Sequence, residues 1–330
     1  MTNYKLISLN LCNDEDFIYG SDKLLIENIY DFIIYYKIVD TSLIDDILKL
    51  FNYFSFNINE NDTDLGLLHS SILSYYVYND ELRSITIKLS DKIRHITNYD
   101  QKIVDEFMTN KIAIFFSEIT ILNPDFILLQ DLDNQYLYDI ETKLSDYNII
   151  SPLKIDHKYD TLYEELLTNH ILYKKTDKIK LIESYLSDCG TVGVFQINDK
   201  NSNIVSGRWS SIGKYQRIKQ YKSLDRITEP LIFMGDTNLR YNDLVANESK
   251  QLYDVTFTEG KILYTYNKNT NQYYDEKSKF ISRYDRIFIK DTVYIYYDLC
   301  FDKKYEILKS KYRLSGCISD HYGLMIDIID

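Results

Sequence analysis

The sequence has little of the material from which flexible linkers and cross-linked folds are made. Its 330 residues include only 3 Pro, 10 Gly and 4 Cys, which excludes long Pro-rich or Gly-rich hinges. The cysteines, Cys12, Cys189, Cys300 and Cys317, have no Cys-x-x-Cys spacing, and this argues against both a zinc site and a disulfide framework. We therefore expect a chain rich in regular structure that works in a reducing compartment.

Long apolar runs and an excess of positive charge are absent as well. No run approaches the roughly 20 apolar residues that a membrane helix needs, and Met1–Asn10 lacks the basic start and apolar core of a signal peptide. The net charge of -12 excludes an overall basic surface for nucleic acid, but a local basic groove or cations at an acidic site are compatible with it. The expected protein is soluble, not membrane-bound, and intracellular, in the cytoplasm or the nucleus.

Short apolar runs that end on polar residues are the first positive feature. Leu6–Asn10 and Asp125–Gln130 are typical of buried strands, and a helical pattern over 135–147 follows the second of them. A further strand is predicted at Gly323–Ile329. The alternation of strands and helices favours an α/β fold, a layered sandwich of sheets and helices.

Residues 13–106 have a different pattern. Apolar residues recur there at helical spacing in successive stretches, and the His residues have no metal-like spacing. We interpret this segment as a helical insertion near the N-terminus that offers a surface for a protein partner. Because no internal repeat or Gly/Ser-rich hinge is present, the simplest organisation is one catalytic-type domain, 1–330, that includes the insertion.

The most informative stretch is Pro230–Arg240. Leu231–Met234 predicts a buried strand that Gly235 ends, and Asp236 and Asn238 follow two residues apart. If strand geometry persists there, both side chains leave the same face, where a carboxylate and an amide can hold a water and a phosphate oxygen. Gly, Asp and Asn are also ordinary turn residues, so a simple turn is the competing interpretation.

Polar residues mark the exits of other predicted strands too. The full set is Asn10, Gln130-Asp131, Asp236-Thr-Asn238, Asp285 and Asp320-His321. At one rim of a β-sandwich these residues would form a carboxylate-rich pocket for a hard cation, and Mg²⁺ prefers such oxygen ligands. His321 would supply positive charge or a proton, and Asp285 is the type of residue that orients an imidazole.

A basic segment precedes the central strand. Strands at Cys189–Ile197 and Ile204–Gly207 are predicted on either side of a turn at 198–203, and Arg208 ends the second of them. A predicted helix follows, with the basic residues Lys214, Arg217, Lys219, Lys222 and Arg226. We interpret these basic side chains as a solvated helix face rather than a binding surface.

Five sequence blocks occur in the order found in one known superfamily. They are Ser8-Leu-Asn10, Pro124-Asp-Phe-Ile-Leu-Leu-Gln130-Asp131, Gly235-Asp-Thr-Asn-Leu-Arg240, Arg283-Tyr-Asp-Arg-Ile-Phe288 and Ser319-Asp-His321. On these blocks the chain resembles the endonuclease/exonuclease/phosphatase superfamily, and within it the type-2 tyrosyl-DNA phosphodiesterases. The resemblance covers the N-terminal strand and most of 107–330. It implies a four-layered α/β sandwich, two packed mixed sheets flanked by helices, and a phosphodiesterase that depends on Mg²⁺, with Mn²⁺ as the alternative ion.

The resemblance also implies a role for each residue. Asp236 would orient or deprotonate the attacking water while Asn238 steadies it. His321, aligned by Asp285, would neutralise charge that develops at phosphorus. The implied metal-holding residues are Asp131, Asn10 and Asp320, and the implied substrate contacts are Arg208, Trp209 and Arg240.

Two residues depart from the pattern of the superfamily. The metal-holding position is normally Glu and is Asp131 here, whose side chain is shorter by one carbon–carbon bond, about 1.5 Å. A His-Leu-Glu-Ser block normally precedes an Arg and, three residues later, a Gln. Arg217 and Gln220 are present, but the block reads Arg208-Trp-Ser-Ser211. Arg208 can clamp a phosphate oxygen, but it cannot donate a proton as histidine does.

The expected function is hydrolysis of a 5′-phosphotyrosyl bond between a protein and a nucleic-acid end, by a monomer. Two alternatives stay open on the sequence alone. One is another nuclease or phosphatase of the same scaffold, acting on abasic sites, lipids or inositols. The other is a member without catalytic activity that binds nucleic acid or a protein, and the two departures are the evidence for it.

Overall fold

The computed structural model describes residues 3–11, 101–132, 136–152, 168–211, 213–240, 243, 252–258, 261–267, 281–306, 315–319 and 321–329. The helical insertion predicted at 13–106 lies almost wholly outside them. The chain divides into two compact units, Met1–Asp14 with Glu106–Asp330, and Glu15–Asp105. Both sheets and the site lie in the first unit. No helix in the described part of the chain is long and apolar enough to cross a membrane.

Short strands and a few helices make up the described residues. The helices are α1 (Gln101–Leu122), α2 (Leu137–Lys143) and α3 (Lys214–Ser223), with a 3-10 turn at Leu224–Arg226. The longer strands are β1 (Asn3–Asn10), β2 (Phe126–Gln130), β3 (Tyr147–Ile150), β4 (His170–Lys174), β5 (Ile179–Ser187), β6 (Gly190–Ile197), β7 (Lys200–Arg208) and β8 (Leu231–Asp236). Two-residue strands follow at β9 (Tyr253–Asp254), β10 (Phe257–Thr258), β11 (Lys261–Ile262), β12 (Tyr266–Asn267) and β13 (Ile281–Ser282). The chain continues with β14 (Asp285–Lys290), β15 (Val293–Cys300), β16 (Tyr305–Glu306), β17 (Ser315–Gly316) and β18 (Gly323–Ile329).

Two mixed sheets of six strands carry the fold. Their strand orders are β15-β18-β1-β2-β4-β3 and β5-β6-β7-β8-β14-β9. Each sheet contains one central parallel pair, β1 with β2 and β7 with β8, and the other neighbours are antiparallel. The carboxyl ends of the two strands in a parallel pair lie at the same edge of their sheet, so each sheet brings two strand exits together.

Alternation along the central strands produces four layers. Successive side chains of a strand point to opposite faces of its sheet. In β8, Ile232 and Met234 therefore pack in the core between the sheets, while Leu231 and Phe233 pack beneath α3. The first sheet behaves in the same way, because Ile7 and its neighbours on that face contact α1 and α2. The order helices, sheet, sheet, helix confirms the predicted α/β sandwich.

Two strands that lie at sheet edges were not predicted from the sequence. β5 and β15 are edge strands of the two sheets, and most of their residues are at least partly exposed, so neither has the pattern of a strand buried on both faces. The predicted hairpin between β6 and β7 is present, but its turn contains only Asn198 and Asp199, both at positive φ. A two-residue turn with both residues left-handed matches the twist of the strands, and Asn and Asp accept this conformation readily.

Candidate active site

One rim of the sandwich is polar because inward-facing rows of mostly apolar side chains end there on polar residues. The rows are Leu6, Ser8 and Asn10 in β1, Phe126, Leu128 and Gln130 in β2, and Ile232, Met234 and Asp236 in β8. Asn10 and Gln130 are register partners in the parallel pair β1–β2. The candidate site therefore begins where the apolar core between the sheets stops.

Asp285 and His321 lie at the same rim, but at the starts of their strands rather than at the ends. Asp285 is the first residue of β14 and the register partner of Asp236, and His321 stands just before β18. Strand exits were predicted for both residues, and this is wrong. β14 runs antiparallel to β8 and β18 antiparallel to β1, so their starts lie where the neighbouring strands end.

A close approach of two glycines sets Arg208 beside Asp236. Gly207 pairs with Gly235, and Arg208 with Asp236, in the parallel register of β7 and β8. A Cβ atom on Gly235 would lie 1.9 Å from the carbonyl oxygen of Gly207, so no larger residue fits there without moving a strand. Gly235 was predicted to end the strand, but β8 continues through it to Asp236, and its role is to allow this approach.

Gln130 ties the two sheets together behind the site. Its Oε1 accepts a hydrogen bond from Ser8 Oγ at 3.2 Å, and its Nε2 donates to Ser206 Oγ at 3.0 Å. Ser8 belongs to the first sheet and Ser206 to the second. Since Gln130 is fully buried, these bonds satisfy its amide and fix the spacing of the rims.

The Asp236 carboxylate is the centre of the polar cluster, with a residue exposure of 2 %. Its Oδ2 accepts hydrogen bonds from Asn10 Nδ2 at 3.1 Å and from Asn238 Nδ2 at 3.0 Å. Its Oδ1 accepts the backbone N–H of Asn238 at 3.0 Å. Asn238 lies beyond the strand, at a φ of 49°, and its Nδ2 also donates to the carbonyl oxygen of Trp209 at 3.0 Å. The turn interpretation is therefore correct, and strand geometry does not persist to Asn238. The turn itself brings the Asn238 amide to the Asp236 carboxylate.

Burial raises the pKa of Asp236 from 3.8 to about 6. The carboxylates of Asp285 and Asp131 act in the same direction, whereas the charges of His321 and Arg208 favour the ionised form and oppose the rise. Such a carboxylate accepts a proton more readily than an exposed one and is still ionised at neutral pH. It therefore meets the chemical requirement for a general base.

The same pKa predicts how stability depends on pH in the metal-free protein. A pKa that is raised on folding means that protonated Asp236 stabilises the fold below pH 3.8, and that this contribution is lost as the pH rises through about 6. The free energy of unfolding of the wild type should therefore fall relative to Asp236→Asn, by about 3 kcal/mol between about pH 3.5 and about pH 7.5. Denaturant unfolding in EDTA at several pH values measures this difference. A difference that stays constant across the range would contradict the buried, raised carboxyl group.

His321 and Asp285 form a second buried unit. His321 Nδ1 lies 2.6 Å from Asp285 Oδ2, and both residues are less than a tenth exposed. The ring of Tyr266 packs edge-on against the imidazole, with 5.3 Å between centroids. The Asp285 backbone N–H donates to Thr265 Oγ1 at 3.0 Å, which fixes the start of β14. The imidazole is thus held in one orientation by a carboxylate and an aromatic ring.

Arg208 and Asp131 contact each other across the two sheets. Arg208 Nε lies 2.8 Å from Asp131 Oδ2 and 4.0 Å from Asp236 Oδ2. Asp131 directly follows β2, and its φ of 54° turns the chain sharply at that point. The two positions at which the sequence departs from the pattern of the superfamily that it resembles are therefore ion-pair partners.

Three other predicted site residues have different outcomes. Trp209 was predicted to contact substrate, and this is wrong: its side chain is fully buried among Phe233 and Phe288, and its Nε1 donates to the carbonyl oxygen of Cys189. Arg240 is exposed beyond the end of β8. Asp320 lies outside the described residues, so its predicted metal-binding role stays a prediction.

The basic helix supports the segment that follows Arg208. Arg217 is only 2 % exposed, so interpreting it as part of a solvated face was wrong. Its Nε donates to Asp243 Oδ2 at 2.8 Å, and its Nη1 donates to the carbonyl oxygens of Ser210 and Ser211. The Gln220 side chain accepts the backbone N–H of Ser210. The other basic residues, Lys214, Lys219 and Lys222 of the helix and Arg226 of the 3-10 turn, are exposed as expected.

Sequence reasoning gave no role to three residues that hold the site together. Ser319 Oγ donates to the carbonyl oxygen of Asn10 at 2.6 Å and accepts the backbone N–H of His321. Tyr266 and Thr265 come from a segment in which no motif was recognised. Of the three, only Ser319 lies within a recognised block, Ser319-Asp-His321, so its position next to His321 could have indicated a role at the site.

The donor atoms at the rim suit a divalent cation. Among the described residues, Asp236, Asp285 and His321 each place one ligand atom within 4.8 Å of the others. The Asp131 carboxylate and the Asn10 amide add hard oxygen groups of the kind that Mg²⁺ and Mn²⁺ accept. The candidate centre thus fits a divalent cation by its chemistry, although Arg208 already neutralises part of its negative charge.

Comparison with known proteins gives relatives in structure only. No protein-family model matches the chain, and no curated protein sequence matches it. A TDP2 structure from D. rerio, complexed with single-strand DNA product, is 19% identical with a TM-score of 0.56, over 67% of this chain and 92% of that one. TDP2 from C. elegans is 18% identical with a TM-score of 0.52, over 67% of this chain and 70% of that one.

A third neighbour has a different stated activity. It is a mannosyl-6-phosphatase of Bacteroides thetaiotaomicron, 19% identical with a TM-score of 0.50, over 68% of this chain and 92% of that one. The chain has the endonuclease/exonuclease/phosphatase fold. The two mixed sheets and their flanking helices agree with the predicted architecture, and the TDP2 structures are among those that share this fold.

Proposed function

We propose that the chain is a hydrolase that depends on a divalent cation and cleaves the bond between a 5′ nucleic-acid phosphate and a protein-derived tyrosine. The observation that carries the proposal is the buried Asp236 carboxylate, held by Asn10 and Asn238 beside the Asp285–His321 pair. The endonuclease/exonuclease/phosphatase fold and its likeness to a TDP2 complexed with a DNA product support a phosphodiester substrate.

Asp236 activates the attacking water in this proposal. Both of its oxygens already accept amide N–H groups, so the carboxylate cannot rotate away from the rim. A pKa raised to about 6 allows it to take a proton from water at neutral pH, and the Asn238 amide keeps that carboxylate in place.

His321 stabilises the negative charge that develops at phosphorus. Asp285 bonds Nδ1, so Nε2 lies on the opposite side of the ring from its orienting carboxylate. An imidazolium held in this way offers an N–H to a phosphate oxygen without reorganisation during the reaction. Asp285 acts through His321, as a positioning residue.

Mg²⁺, or Mn²⁺ as the alternative, would be held by Asp131 and Asn10 together with Asp320. The bound ion would polarise the phosphoryl group and neutralise its charge. Of these three ligands, the described structure supports two, because the Asp131 carboxylate and the Asn10 amide lie at the same rim.

With Arg208 in place of a proton-donating histidine, the enzyme should prefer substrates whose leaving group departs without protonation. An arginine cannot protonate a departing sugar oxygen, whereas a tyrosine phenol, with a pKa of about 10, departs with much less help. We therefore expect kcat/KM for a 5′-phosphotyrosyl oligonucleotide to exceed that for an abasic-site duplex by about 10²-fold or more. Gel-based cleavage of both substrates under the same conditions measures the ratio.

The matched variant for this comparison is Arg208→His, which returns a proton donor to the same strand end. It should raise abasic-site cleavage relative to phosphotyrosyl cleavage. Faster cleavage of the abasic duplex by the wild type would refute the proposed substrate.

A second candidate function rests on the Arg208–Asp131 ion pair. A rim at which a guanidinium already neutralises the carboxylates suits a protein that binds a nucleic-acid end without cleaving it. Such a protein would bind a 5′-phosphorylated oligonucleotide with equal affinity in EDTA and in Mg²⁺, and it would release no product from either substrate.

We also propose that the protein acts inside the cell as a monomer, with residues 13–106 as a contact for a protein partner. Cys189, Cys300 and Cys317 are buried free thiols in the described structure, which accords with a reducing compartment. Analytical ultracentrifugation of the full chain tests the monomer.

A further inference from the structure

The guanidinium of Arg208 lies between two carboxylates that come from different sheets. Its Nε is 2.8 Å from Asp131 Oδ2, on the β2 side, and 4.0 Å from Asp236 Oδ2, on the β8 side. The Asp131 and Arg208 side chains are 15 % and 29 % exposed, so water screens this pair only in part. The arrangement places a permanent positive charge where the two rims of the sandwich meet.

The backbone holds Arg208 in this place. Arg208 is the last residue of β7, in parallel register with Asp236, and the Gly207–Gly235 contact fixes the two strands at close range. The segment that follows is held by Arg217 and Gln220 through the backbone of Ser210. The side chain therefore starts from a rigid point, although its own flexible stem can move the guanidinium.

We propose that Arg208 is an internal counter-cation that competes with the divalent cation for Asp131, beside the Asp236 carboxylate. This inference rests on the proposed function, since it concerns the metal of the same site. Cation binding at Asp131 displaces the guanidinium, and the displaced Arg208 then lies beside the site as a clamp for phosphate. Metal occupancy and phosphate binding are in this way coupled through one side chain.

Electrostatic repulsion between the guanidinium and the divalent cation explains the competition. Arginine does not lose its proton at any pH at which the protein is folded, so the guanidinium and a divalent ion repel each other wherever they share a carboxylate. Removal of the guanidinium leaves the Asp131 and Asp236 carboxylates without this compensating charge, and a cation that binds at Asp131 then no longer competes with Arg208. The prediction is tighter metal binding in a variant without Arg208.

The experiment is Mn²⁺ binding to the full chain, measured by isothermal titration calorimetry without substrate. Arg208→Gln should bind Mn²⁺ about 10-fold more tightly than the wild type. Arg226→Gln is the matched control, since it removes the same charge from an exposed position of the 3-10 turn and should leave the affinity unchanged.

Thermal unfolding provides a second readout that does not depend on activity. In EDTA, Arg208→Gln should melt below the wild type because two neighbouring carboxylates lose their counter-charge. Saturating Mn²⁺ should raise its Tm by more than it raises that of the wild type. A variant that melts normally in Mn²⁺ also shows that the substitution does not prevent folding.

Each outcome decides the proposal. Equal or weaker Mn²⁺ binding by Arg208→Gln overturns the competition and leaves the proposed hydrolase intact. If neither protein binds Mn²⁺ and neither cleaves a phosphodiester, the proposed function fails, and the competition fails with it.

Discussion

Asp236→Asn should lower kcat/KM for thymidine 5′-monophosphate p-nitrophenyl ester by about 10³-fold. The substitution keeps the shape of the side chain but removes the buried carboxylate at the centre of the rim. In the folded chain this carboxylate already accepts hydrogen bonds from Asn10 and Asn238, so it is fixed before substrate binds. Release of p-nitrophenol, followed by absorbance, measures the loss.

The matched control is Asp225→Asn, which makes the same chemical change at an exposed position of the 3-10 turn. It should retain wild-type kcat/KM. Circular dichroism and a cooperative melt confirm that Asp236→Asn is folded. Unchanged activity in folded Asp236→Asn would refute the assignment of the water-activating residue.

His321→Ala should lower kcat/KM for the same ester by about 10²-fold to 10³-fold, because in the proposed mechanism it removes the imidazolium that would stabilise charge developing at phosphorus. Asp285→Asn should have a smaller effect, about 10-fold, since it weakens the 2.6 Å contact that orients the imidazole but leaves the ring in place. Steady-state kinetics of both single variants give these values.

The double variant separates a positioning role from direct metal binding. If Asp285 acts through His321, then His321→Ala with Asp285→Asn should be no less active than His321→Ala alone. Asp285 is also close enough to Asp236 to share a cation with it. Effects that multiply in the double variant would contradict the positioning role and assign Asp285 to the metal.

The centre of this site could be predicted from sequence because its strands are short, buried and ended by polar residues. Asn10 and Asp236 terminate inward-facing rows, and the local pattern contains both the row and its end. Asp285 and His321 were predicted at the right rim but at the wrong end of their strands. Chain direction within a sheet is set by pairing with distant strands, which no local pattern contains.

Contacts between the two sheets could not be predicted from the sequence. Arg208 and Asp131 were each recognised as departures, but their ion pair depends on the packing of one sheet on the other. Trp209 was assigned to substrate, whereas its side chain lies in the core beneath α3. The burial of Arg217 could not be predicted either, because its partner Asp243 is distant in the sequence and comes from the segment after β8.

The central claim is that the rim around Asp236 hydrolyses phosphodiesters with the help of a divalent cation. The most direct test is release of p-nitrophenol from thymidine 5′-monophosphate p-nitrophenyl ester by the purified full chain, in Mg²⁺ or Mn²⁺ and in EDTA. We predict release that requires the added cation and disappears in Asp236→Asn. No release from folded protein in either cation, or equal release in EDTA, would contradict the account.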